Sequence, residues 1–91
     1  MKESERIDAE LTRVEARLGF VADEVYKLKR RAAKIEDDMA READPRLKTE
    51  LQRQLGRTIE ARDEKEKEEF DLKEQADELG RAFRAEMAFQ E

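Results

Sequence analysis

Two clusters of charge hold the side chains best placed to do chemistry in this chain. Lys27, Lys29, Arg30, Arg31 and Lys34 put five cations within eight residues. Such a cluster either tracks a phosphate backbone or forms ion pairs between helices that fix their register. The second reading is preferred, because no glycine loop or interleaved aromatic platform accompanies the cations. The second cluster is acidic: Glu36, Asp37, Asp38, Glu42 and Asp44. It reads as a solvated turn with a capping aspartate, or, more sharply, as an acidic finger that holds a metal or enters a partner's channel.

Other carboxylate pairs carry no information, because 49% of the chain is charged. There is no His and no Cys. That composition excludes Ser-His-Asp and Cys-His catalysis, Cys/His zinc sites, disulfide scaffolds and the Glu-x-x-His motif of di-iron bundles. No catalytic residue, cofactor or metal is expected, and the chain is read as a non-enzyme. With 91 residues and a net charge of −5, it is one small domain and a poor general binder of nucleic acid. No apolar run is long enough for a leader or a membrane span, so membrane insertion is not expected and the cytoplasm is the default compartment.

The elements that must carry these clusters are helices. Ile7, Leu11, Val14, Leu18, Val21, Val25, Leu28, Ala32, Ile35 and Met39 alternate spacings of four and three. That is the 3.5-residue repeat of a coiled-coil seam. Leu11, Leu18, Val25, Ala32 and Met39 take heptad position a, and Ile7, Val14, Val21, Leu28 and Ile35 take d. The spacing predicts a helix over about 4–42, with Ser4 as N-cap. Asp44-Pro45 then breaks it, because proline disfavours helical geometry at the residue before it. Asp44 suits an N-cap and Pro45 the first helical position. The stripe changes phase at the same point, from the first register to Leu47, Leu51 and Leu55. An antiparallel hairpin is therefore expected, with a turn at about 42–45 and a second helix over about 45–88, all in one domain spanning 1–91.

The second helix is apolar at both ends and polar in the middle. From Thr58 to Glu69 the seam runs through Thr58, Arg62, Lys65 and Glu69. Pairing about the turn sets Val21 and Val25 against Arg62, Lys65 and Glu66, so both valines are expected to stay partly wet in an isolated hairpin. Covering each would be worth about 1.5–3 kcal/mol. Phe20, Val21, Val25, Tyr26 and Phe70 are accordingly read as a face for another chain, with Gly19, Ala22 and Ala33 as a small-residue strip beside it. The simplest partner is a second copy, giving a homodimer with a four-helix arrangement. The competing reading is that arginine and lysine stems cover the valines while their charges reach water.

These features predict an all-α antiparallel helical hairpin that works as a protein–protein interaction module: an adaptor, an assembly factor or a chaperone-like coiled coil. Its expected partners are itself and another protein. The first alternative is a transcription regulator presenting the acidic tip Asp37, Asp38, Glu42 and Asp44 to a polymerase. In outline and tip charge the chain resembles secondary-channel transcription factors, whose long hairpins carry acidic residues at the tip; no motif residue is shared. The second alternative is weak nucleic-acid binding through Lys27–Lys34.

Overall fold

The computed structural model describes residues 2–89. They form two helices, α1 (Glu3–Arg41) and α2 (Pro45–Phe89), that fold back on one another as an antiparallel hairpin. A straight 45-residue helix is about 68 Å long at 1.5 Å per residue. The molecule measures 69 × 17 × 13 Å, so α2 runs unbroken through Gly56 and Gly80. Both boundaries lie within a residue of those the heptads and the proline imply.

The turn is built by capping. Glu42 ends α1 in an extended conformation and donates its N–H to the carbonyl of Met39 at 3.3 Å. Its carboxylate accepts the Asp44 N–H at 3.1 Å. Asp44 accepts the Arg46 N–H on Oδ1 at 2.9 Å, and its carbonyl accepts the Lys48 N–H at 3.0 Å. Those are the two bonds of an N-cap. Pro45, which has no N–H to leave unsatisfied, occupies the first helical position. At the other end the expected cap moves. Lys2 holds the cap position of α1 without a side-chain capping bond, and Ser4 lies buried inside the first turn.

The core is narrow. Among the described residues, the buried apolar side chains are Val21, Val25, Ala32 and Ile35, all from the α1 seam. The one buried residue of α2 is Thr58, whose hydroxyl donates to the Gln54 carbonyl at 2.8 Å. The expectation that Val21 and Val25 stay partly wet is overturned: they are 0% and 4% exposed. The stems of Arg62 and Lys65 are long enough to lie along the seam, and both side chains are about two-thirds covered while their charged heads reach carboxylates.

Candidate functional site

Each helix of a hairpin has two flanks beside its seam. With about 100° per residue, the g positions of α1 lie on one side and the e positions on the other. Glu10, Arg17, Glu24, Arg31 and Asp38 are the g positions that follow from the α1 register. Phe20 and Lys27 lie beside that row. The opposite flank carries Ala22 and Lys29, with Gly19, Tyr26 and Ala33 beside them.

On the g flank the middle of the hairpin is closed by ions. Arg17 donates to Glu68 Oε1 from Nε at 3.0 Å and from Nη2 at 2.6 Å. Lys65 Nζ lies 3.3 Å from Glu68 Oε2 and 3.2 Å from Glu24 Oε2. Four side chains from two helices thus form one chain of charge directly outside the Val21–Val25 layer. The hydrogen bond from Arg17, followed by that from Lys65, holds the Glu68 carboxyl below its ordinary value. The hydrogen bonds to Glu24 and then Glu68 hold the Lys65 ammonium above its own. On the opposite flank Lys29 reaches Glu66 at 3.5 Å, and Arg62 approaches the same oxygen at 3.9 Å.

Above and below this network the g flank is open. Arg31 and Arg57 face each other across a groove floored by Leu28, Thr58 and Ala61. Toward the termini, Glu10, Arg13, Gln75 and Glu78 rim a second groove floored by Val14, Leu79 and Ala82. At the turn, Asp38, Arg41 and Glu50 rim a third over Leu47 and Leu51. Glu10, Arg31, Arg57 and Glu78 take part in no ion pair among the described residues.

The side chains expected to act together are separated by the fold. Val21 and Val25 leave the partner face, being buried inside the hairpin. Phe20, Tyr26 and Phe70 remain exposed, at 54%, 58% and 60%. They do not share a surface. Phe20 and Tyr26 are six residues apart, about 120° around α1, and flank opposite sides of the seam. Phe70 lies one turn from Glu66, beside the flank opposite Phe20. Arg17 stacks over Phe20 with its guanidinium carbon 5.3 Å from the ring centre, and Arg30 over Tyr26 at 5.8 Å.

The basic cluster is likewise split. Lys27 pairs with Asp23 at 3.0 Å on its own helix, and Lys29 with Glu66. Arg31 and Lys34 pair with no carboxylate among the described residues, and Arg31 instead faces Arg57. Local carboxylates therefore do not neutralise the cluster as a whole. Of the acidic tip, Glu42 and Asp44 cap the turn, while Asp37 and Asp38 are exposed. Among the described residues no three acidic side chains converge on a metal-sized site.

Sequence alone singled out Arg31 among the g positions but passed over Glu10, Arg17 and Glu24. Their signal was the alternation of sign at seven-residue intervals, visible once the seam is numbered. Glu68 carried no such signal, because it sits in a run where most residues are charged.

No known protein family, curated protein or solved structure matches the chain. Among the described residues no helix is long and apolar enough to cross a membrane.

Proposed function

We propose that the chain is a non-enzymatic protein–protein interaction module, an adaptor or assembly factor working in the cytoplasm by helix-face docking and self-association. The observation that carries this reading is the surface left uncovered. A compact chain of this mass exposes about 5,500 Å², whereas this hairpin exposes 7119 Å². A rod two helices wide buries one seam and leaves both flanks open. The flank carrying Tyr26 is the apolar one. Leu55, Ile59 and Phe83 of α2 are only half-buried, and Gly19, Ala22 and Ala33 of α1 leave room for another helix to approach. Apolar anchors beside small residues, edged by Lys29 and Glu66, suit an amphipathic helix.

The test is site-specific photocross-linking in cells, with the reactive group placed in turn at Tyr26, Met87 and the tip residue Asp37. The expected result is one discrete cross-linked protein from the Tyr26 and Met87 positions and none from Asp37. A cross-link confined to Asp37 would move the acidic-tip reading ahead. No cross-link from any position would remove the docking role.

A further inference from the structure

We infer that the groove between Arg31 of α1 and Arg57 of α2 is a binding site for a phosphate group, free or carried on a small molecule. It lies on the flank opposite Tyr26 and is independent of the docking role.

The argument begins with what lines the groove. Leu28, Thr58 and Ala61 form its floor, Arg31, Arg57 and Gln54 its rim, and no carboxylate takes part. The Thr58 hydroxyl already gives its proton to the Gln54 carbonyl. The groups left to meet a ligand are two guanidiniums and the Gln54 amide, rich in N–H donors. Donors from two helices over an apolar floor suit an acceptor that carries charge. The volume, about 260 Å³, is below that of pockets for drug-sized ligands and leaves room for a small oxyanion.

Both arginines lack a counter-charge within the chain. Neither takes part in an ion pair among the described residues. Three and four residues from Arg31 stand Lys27, Leu28, Lys34 and Ile35. At the same distances from Arg57 stand Arg53, Gln54, Glu60 and Ala61. Lys27 and Arg53 already hold Asp23 and Glu50. Glu60 neither pairs with Arg57 nor lines the groove. Glu24, one heptad before Arg31, is held by Lys65 at 3.2 Å. A chain with 25 acidic residues against 20 basic ones thus leaves two guanidiniums uncompensated on opposite sides of one cleft.

That charge selects the ligand class. Each guanidinium presents a planar fork that matches two oxygens of a phosphate, and helices packed 8–10 Å apart set the two forks on either side of one anion. A phosphate dianion balances both cations. A carboxylate brings one charge and two oxygens, enough for a single fork. A nucleic-acid backbone would need cations that continue along the rod, and here they stop after one groove. Toward the termini the Arg17, Glu68, Lys65 and Glu24 network closes the flank. Toward the turn Asp38 and Glu50 join Arg41 on the next groove.

Titration of the full chain with inorganic phosphate at constant ionic strength, followed by NMR of the arginine Nε–H groups, is the measurement. The resonances of Arg31 and Arg57 should shift together and saturate with a Kd on the order of 1 mM. Arg31→Gln or Arg57→Gln should each weaken binding at least about 10-fold. Arg30→Gln removes the same charge from the same cluster, but Arg30 lies over the Tyr26 ring on the other flank, so the Kd should stay within about twofold. All three positions are exposed, and unchanged helical circular dichroism confirms that the variants fold. Sulfate should bind as phosphate does, and acetate at least about 10-fold more weakly. Phenyl phosphate separates the sources: tighter binding than inorganic phosphate assigns the site to an ester reaching Leu28 and Ala61, and equal or weaker binding assigns it to the free ion. Equal losses in all three variants, acetate as tight as phosphate, or no saturation by about 20 mM phosphate overturns the site. A single-stranded oligonucleotide whose binding Arg30→Gln weakens as much as Arg31→Gln does would show an extended polyanion surface and also overturn it. The photocross-links at Tyr26 and Met87 read the docking role separately.

Discussion

The two helices share one seam but fill it by opposite means. α1 supplies every buried apolar side chain among the described residues, whereas α2 buries only Thr58 and lays long charged side chains across the middle. Val21 is the most protected side chain among the described residues, at 0% exposure, in the layer where α2 is most polar. Burial in a thin hairpin therefore does not require an apolar residue opposite, since lysine and arginine stems can lie along apolar surface while their charges reach water. The ion network outside that layer follows from the same arrangement: heads that must leave the seam emerge on the flanks, next to the partner helix.

The most severe way to break the asymmetry is to remove apolar volume from α1. Ile35→Ala should cost about 2–5 kcal/mol, measured by urea or thermal unfolding. If it costs no more than a surface substitution, α1 does not carry the core. Removing the cap of α2 comes next. Asp44→Ala loses the bond to the Arg46 N–H and should cost about 1 kcal/mol, with fraying confined to the turn by hydrogen exchange. A loss spread over both helices would mean that the turn governs their register.

A smaller effect, of opposite sign, is expected on the flank that leaves space. Gly19 lies inside α1 with nothing within 4 Å of where a Cβ would stand. Gly19→Ala should therefore stabilise the hairpin by about 0.5–1 kcal/mol, read as a higher melting temperature. Destabilisation would show that this flank is already in close contact with another body.

The smallest effect is expected from the ion network, since partly exposed pairs contribute little to stability. Its signature is pH dependence. Glu68 has a lowered folded value, so its contribution is present above the ordinary 4.5 and is lost as pH falls through the folded value. Lys65 has a raised one, so its contribution is present below the ordinary 10.5 and is lost as pH rises through the folded value. Stability should therefore stay level across neutral pH and decline at both ends. Lys65→Met should abolish the alkaline decline and leave most of the acid decline, which Arg17 sets through its bonds to Glu68. An unchanged alkaline limb would show that Lys65 is not held by Glu24 and Glu68.

The helices, the seam of α1 and the turn were legible in the residues alone, because each depends on local rules. A 3.5-residue repeat demands a helix with one apolar edge, and Asp-Pro both ends one helix and starts the next. The sequence by itself therefore determined an all-α antiparallel hairpin with Val21, Val25, Ala32 and Ile35 on the inner edge. Tertiary structure alone decided what α2 does with its polar middle. Val21 and Val25 are buried although α2 is polar at their level, Arg17 and Glu68 join across the helices, and Arg31 and Arg57 line one groove. It also placed Phe20 and Tyr26 on different sides. The physical reason is register: a one-residue shift between two helices turns a side chain by about 100°. In a segment where almost every residue is charged, no periodicity says which charges face the partner helix.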